Sequence, residues 1–275
     1  MPLRARRRRV RALVALGILV VCGALFYAVS WASYLPQYNI SSISVSGARS
    51  VSDELVVHTI ELALDDGAYH IISRRNVFFY PREALQETLV SALPPVRSAR
   101  ITHPSFSSTE IHVALEEREP FARWCSESQG PCYLMDEGGF IYAPMENVDG
   151  TLFSTSSTQY VFTGRIASST LPIGQSFIKA HLPGLVSLLK FLGQAGFAPR
   201  GAHVENDQDL SVRLQEGFIL KASFGADAGT LVKNLELVLS SDVLEGKRAA
   251  LEYIDLRFGN RVYYKLKGQE QQSAE

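Results

Sequence analysis

Six histidines (His58, His70, His103, His112, His181 and His203) lie scattered through a chain of 275 residues. They form no His-Glu-x-x-His zinc motif, and neither a Cys-x-x-Cys pair nor a Gly-x-Ser-x-Gly nucleophile turn occurs. The adjacent carboxylates Glu116-Glu117 fall in a strand-like run, where neighbours point to opposite faces, so they do not read as an acid–base pair. Asp136-Glu137-Gly138-Gly139 reads as a turn, because the twelve-residue spacing of a calcium loop is missing. Serine, histidine and aspartate could meet in any fold of this size, which keeps a hydrolase as the rival class. The expectation is otherwise a non-enzyme, with no cofactor, no metal and no small-molecule substrate.

Two cysteines do suggest chemistry. Cys125 and Cys132 flank Ser-Glu-Ser-Gln-Gly-Pro, and facing each other across a hairpin they would close a short disulfide loop, the alternative being two free thiols. So short a ring would stabilise by about 2 kcal/mol. Cys22 lies in an apolar run and reads as an ordinary membrane residue.

The most explicit element is Leu251–Lys267, LEYIDLRFGNRVYYKLK. Apolar Ile254, Leu256 and Phe258 alternate with Asp255 and Arg257, and after Gly259-Asn260 the alternation resumes with Val262, Tyr264 and Leu266. Period two on both sides of such a turn predicts a β-hairpin with one buried face. A two-residue loop would mix the faces. A three-residue loop, Gly259–Arg261, would instead pair Phe258 with Val262, Leu256 with Tyr264 and Ile254 with Leu266, setting Asp255 against Lys265 and Arg257 against Tyr263 outside. Only the polar stretch 268–275 comes after it, read as a disordered tail, so the last strand is expected at a sheet edge. An edge strand can accept another chain through its free backbone groups. Arg261, Lys265 and Lys267 would equally serve to guard such an edge against aggregation.

At the other end, Arg4, Arg6, Arg7, Arg8, Arg9 and Arg11 crowd the first eleven residues. Setting those six aside leaves 21 basic against 28 acidic residues, so the rest of the chain carries about −7. An acidic body argues against a nucleic-acid surface. Residues 12–31 (ALVALGILVVCGALFYAVSW) carry no charge. Twenty helical residues span about 30 Å, the thickness of a hydrocarbon core. Tyr27, Trp31 and Tyr34 cluster at the far end, as interfacial aromatics do, and the arginines mark the near end as cytoplasmic. The apolar length favours an uncleaved anchor over a signal sequence. The lipid bilayer is thus the first partner expected.

Beyond a linker at 32–39, the chain reads as two folded parts of α+β class. In 40–118 come a strand at Ile40–Val45, a helix opened by Ser50 and Asp53 as a capping box, a second helix after Pro81 stopped by Pro94-Pro95, and strands at Val96–Thr102 and Thr109–Glu117. That order is β-α-α-β-β. In 119–267 the texture is mostly antiparallel strands, with helices at Pro183–Ala195 and Thr230–Ser240. Arg118 and Glu119 are read as fixing the junction between the two.

The layout resembles the FtsQ/DivIB family of bacterial cell-division proteins: basic tail, one membrane helix, POTRA domain and larger β domain. Four stretches carry the likeness: Ile43–Gly47; Leu93–Val96 through Ile101–Pro104; Ile111–Val113 through Glu117–Trp124, similar to the family's Glu-Arg-x-Pro-x-Ala junction; and Tyr253–Phe258, similar to its Tyr-x-Asp-Leu-Arg-aromatic signature. The likeness covers about 10–267, and residues 149–176 match nothing in it. The resemblance implies a single-pass inner-membrane scaffold at the division septum, with its N-terminus cytoplasmic. It would bind single-span partners of the FtsB/FtsL type, recruit other division proteins through the POTRA domain and help couple division to septal wall synthesis. Partner contacts in the family involve the end of the β domain, which implicates Arg257 and the strand Arg261, Val262, Tyr263, Tyr264, Lys265, Leu266 and Lys267. The runner-up is a membrane-anchored POTRA protein of secretion or envelope assembly.

Overall fold

A computed structural model describes residues 3–275 apart from 66, 106–107, 127–129, 146–159, 167–170, 260, 269–271 and 275; for 3–9 and 272–274 it describes the backbone alone. Helix α1 (Leu3–Ser33) contains a 24-residue stretch, Val10–Ser33, long and apolar enough to cross a membrane, and its large apolar side chains from Leu13 to Trp31 are exposed. The chain beyond α1 is mixed α+β, giving the architecture of a single-pass membrane protein with a folded exposed portion. The chain divides into two compact units, 1–117 and 118–275.

In the first unit β1 (Ser42–Ser46) pairs parallel with β3 (Glu110–Glu117), and β2 (Val96–Thr102) pairs antiparallel with β3 on its other side. Helices α2 (Asp53–Leu64) and α3 (Arg82–Ala92) contribute Val56, Ile60, Leu64, Leu85 and Leu89 to a core closed by Ile101, Ile111 and Val113. These are the apolar positions of a helical stripe facing the inward set of two alternating strands. The N-cap of α2 is Ser52, whose hydroxyl accepts from the Leu55 amide, and not Ser50. Ser50 has other work. The Glu117 carboxylate accepts from the amides of Arg49 (2.7 Å), Ser50 (2.9 Å) and Val51 (3.2 Å) and from the Ser50 hydroxyl (2.6 Å). Glu116 turns the other way and accepts from Ser98.

Burial alone would raise the Glu117 pKa, but these donors outweigh it and hold the carboxyl below its ordinary range. A carboxyl depressed in the folded state contributes stability above its unfolded value, about 4.3, and loses it as pH falls through the folded value. Glu117→Gln should therefore cost the first unit about 1–3 kcal/mol near neutrality. It should also flatten the acid limb of the stability profile, read by hydrogen exchange in α2 across a pH series. A wild-type acid limb retained in the variant would refute this role.

Within the expected linker the backbone makes hydrogen bonds. The amide of Ile40 donates to Arg75 and that of Val77 to Tyr38, while Pro36–Tyr38 forms a 3-10 turn.

Among the described residues, the second unit is built on one ten-stranded sheet. Its strands are β4 (Ala122–Cys125), β5 (Cys132–Met135), β6 (Ile141–Pro144), β7 (Tyr160–Gly164), β8 (Pro199–Val204), β9 (Asp209–Leu214), β10 (Ile219–Ser223), β11 (Leu251–Phe258), β12 (Arg261–Leu266) and β13 (Gln272–Ala274). Their order is β13-β12-β11-β10-β9-β8-β7-β4-β5-β6, with β4/β7, β7/β8 and β10/β11 parallel and the remaining pairs antiparallel. Parallel neighbours need crossovers, and α4 (Leu182–Gln194) and α5 (Ala228–Leu239) supply them for β7/β8 and β10/β11. Leu185, Leu189 and Leu192 of α4 and Leu235 of α5 enter one core with Phe162, Phe177 and Phe218.

Cys125 and Cys132 stand opposite each other at the end of the β4–β5 pair, 4.1 Å apart at Cα, and are disulfide-bonded. Asp136 does close a turn, and its buried carboxylate takes the Arg118 guanidinium, which also lies over the Phe140 ring at 4.0 Å. Arg118 is thus held within the second unit.

Candidate partner-binding edge

The hairpin β11–β12 forms, with a register different from the expected one. Phe258 faces Arg261, so the connection is the two-residue Gly259-Asn260, of which Asn260 lies outside the described residues. Ile254 faces Tyr264, Asp255 faces Tyr263 and Tyr253 faces Lys265, in place of the Ile254–Leu266, Asp255–Lys265 and Arg257–Tyr263 pairings. The face conflict that a tight turn creates is resolved in β11 itself. Between Asp255 and Phe258 two residues oppose Val262 alone, and between Leu251 and Tyr253 the strand carries one residue more than β12. Such bulges shift the alternation by one and bend the strand. Asp255 and Leu256, adjacent in sequence, are consequently both buried, while Phe258 is turned out and 53% exposed.

Buried Asp255 organises the outer end of β11. The Arg257 guanidinium donates to both its oxygens, Nε to Oδ1 at 2.9 Å and Nη2 to Oδ2 at 2.7 Å. Nη1 reaches Asp209 Oδ2 at 3.0 Å and lies 3.8 Å from Glu205 Oε2. Hydrogen bonding to Asp255 outweighs burial and raises the arginine pKa, so the cation is held firmly charged. Arg257 therefore ties β11 to the β8–β9 turn, two strands away. Two members of this cage, Asp209 and Glu205, carry no signal of their own in the sequence. The i, i+2 spacing of Asp255 and Arg257, which places strand residues on one face, was the available signal.

The other sequence-derived residues divide by face. Val262 and Leu266 pack against the core and Tyr264 is buried in it. Tyr263 meets Phe258 edge-on, with ring centroids 5.1 Å apart. Lys265 pairs with Glu252 at 3.1 Å, Lys267 Nζ donates to the Ala249 carbonyl, and Arg261 is exposed. Tyr253, which is not among the expected partner contacts, carries Lys221 over its ring at 4.6 Å. The outer face near this end is thus a mixture of aromatic rings and cations.

Strand β12 is not the last strand. Residues Gln272–Ala274, expected within a disordered tail, form β13 and pair antiparallel with Val262–Tyr264. A chain returning after a short turn can occupy an adjacent edge whatever its side chains, because the ladder is made of backbone. Beyond those pairs, the Lys267 amide donates to the Ala250 carbonyl, back toward the start of β11.

Two histidines with hydroxyl neighbours bear on the rival enzyme class. His112 sits between Ser44 and Ser46, each ring nitrogen 3.1 Å from a hydroxyl, which leaves neither for an orienting carboxylate. His203 Nδ1 lies 2.9 Å from Thr163 Oγ1 on the neighbouring strand. Among the described residues, no group of three or more His, Cys, Asp or Glu could hold a metal ion.

No family model matches this chain. No curated protein matches it significantly either.

Proposed function

We propose that this protein is a single-pass scaffold of the bacterial division machinery, of the FtsQ/DivIB kind. In this reading it has no catalytic activity, and it binds single-span partners of the FtsB/FtsL type by strand addition at β12. The first unit acts as a POTRA domain, recruiting further division proteins, and the second holds the partner site. The observation that carries the reading is the end of the ten-stranded sheet. There, among the described residues, Gln272–Ala274 pair with Val262–Tyr264 of β12, beside exposed Phe258 and the Tyr263 and Tyr253 rings.

Gln, Ser and Ala carry few apolar atoms, so a longer partner strand with apolar side chains would outcompete β13. Backbone pairing supplies affinity and the aromatic–cation face supplies specificity. The β-α-α-β-β order of the first unit behind a membrane-length helix supports the same assignment.

The test is co-purification of the full chain with a single-span division protein from a membrane extract. Tyr264→Pro removes a β12 backbone donor and should abolish capture. Hydrogen-exchange protection of β1–β3 should meanwhile stay as in the parent. Undiminished capture by this variant would exclude β12 as the site.

A further inference from the structure

The segment 67–80 has no helical or strand period, and it holds the end of the membrane-length helix. Ser30 Oγ donates to the Ile71 carbonyl at 2.6 Å, and Ser33 Oγ accepts from the Ser73 amide at 3.0 Å. Asn76 Nδ2 donates to the Ser33 carbonyl at 3.1 Å, and the Tyr34 hydroxyl donates to the His70 carbonyl. Ser30, Ser33, Ser73 and Asn76 are all buried at 9% exposure or less, although polar. The last carbonyls of a helix need partners, and here the segment provides one for Ser33. Helix end and segment form one hydrogen-bonded piece.

Of the apolar side chains of that piece, Val77 and Tyr80 enter the first core and others are exposed. Tyr69 is 81% exposed, Ile71 53% and Phe79 59%, beside Trp31 at 62% and Tyr34 at 43%. The Tyr34 and Tyr69 rings stack nearly parallel, 5° apart with centroids at 6.3 Å. In water so many exposed large apolar side chains would be costly.

We propose that residues 69–79 are a second membrane contact. Tyr69, Ile71 and Phe79 would lie in the headgroup and upper acyl region of the leaflet that the folded units face. The occupant follows from depth. Ser30 lies in the last turn of the membrane-length stretch Val10–Ser33, and Ile71 is bonded directly to it. Ile71 is therefore level with the final turn of the membrane-crossing helix, where the hydrocarbon core gives way to headgroups and aromatic rings accumulate. The patch continues a contact with lipid that α1 already makes. Its effect is to fix the tilt and rotation of the first unit on the membrane.

The experiment places an environment-sensitive fluorophore on the full chain, with Cys22→Ser and one of Tyr69→Cys, Ile71→Cys or Phe79→Cys, in phosphatidylcholine vesicles. Leu55→Cys is the control: it is exposed at the start of α2, outside the segment bonded to the helix end. Lipids brominated near the glycerol should quench labels at 69, 71 and 79 severalfold more than at 55. Ser33→Ala combined with Asn76→Ala should reduce that difference. Equal quenching at all sites, with aqueous iodide reaching each alike, would overturn the proposal. So would a disulfide that joins two unlabelled copies of the Ile71→Cys variant and persists on dilution with lipid, because a second copy would then cover the patch.

Discussion

Gly47→Ala is expected to cost the first unit about 3 kcal/mol or more, the combined scale of a strained backbone and a backbone overlap. Gly47 follows β1 at φ +84°, where a side chain is disfavoured, and a Cβ there would lie 2.1 Å from the Leu115 carbonyl oxygen. That oxygen belongs to β3, the central strand, which is paired on both sides and has no direction in which to retreat. The loop after Gly47 also carries Arg49, Ser50 and Val51, whose amides hold Glu117, so a displaced Gly47 would loosen that carboxylate as well. Hydrogen exchange on the full chain should show protection lost in β1–β3 and kept in the second unit. Unchanged protection would mean that the strand end is softer than its pairing implies.

Arg257→Ala is expected to cost the second unit about 3–5 kcal/mol, the usual loss when one member of a buried ion pair is deleted. The Asp255 side chain is 4% exposed and would keep a charge with its strongest donors gone. Asp209 and Glu205 would lose the same cation. Arg257→Lys should recover only part of the stability, because an ammonium cannot satisfy two carboxylates in the forked geometry of a guanidinium. Denaturant titration followed by Trp124 fluorescence measures both variants. A loss below about 1 kcal/mol would place the cage among ordinary surface pairs. Capture of a partner should fall with Arg257→Ala in proportion to folding, since Arg257 shapes the edge from inside the domain.

Periodic patterns in the sequence were legible because each states its own face. The stripe through Val56, Ile60 and Leu64 and the alternation through Ile111, Val113 and Leu115 needed no tertiary knowledge. The hairpin was legible as a hairpin and misleading in register. Bulges answer to competition for the core, and nothing local announces that Asp255 and Leu256 will both turn inward. The cap of α2 moved from Ser50 to Ser52 because Glu117, 67 residues further on, claims Ser50. Gln272–Ala274 carry no alternation and became a strand only because an open edge lay within reach. Phe177, a centre of the second core, follows a stretch with no readable period. Its amide donates a hydrogen bond to the Gly139 carbonyl. At the candidate site, the strand and Arg257 could be named beforehand. The carboxylate cage, the outward turn of Phe258 and the cover of β13 could not.

The most direct test of strand addition at β12 is photocrosslinking in native membranes. A photoreactive residue replaces Lys265 on β12, and a control replaces Leu237, exposed on α5. Irradiation should join position 265, and not 237, to a single-span division protein identified by mass spectrometry, with a higher yield when residues 268–275 are removed. Adducts at 237 alone, or a yield at 265 that falls on removing the tail, would contradict the account.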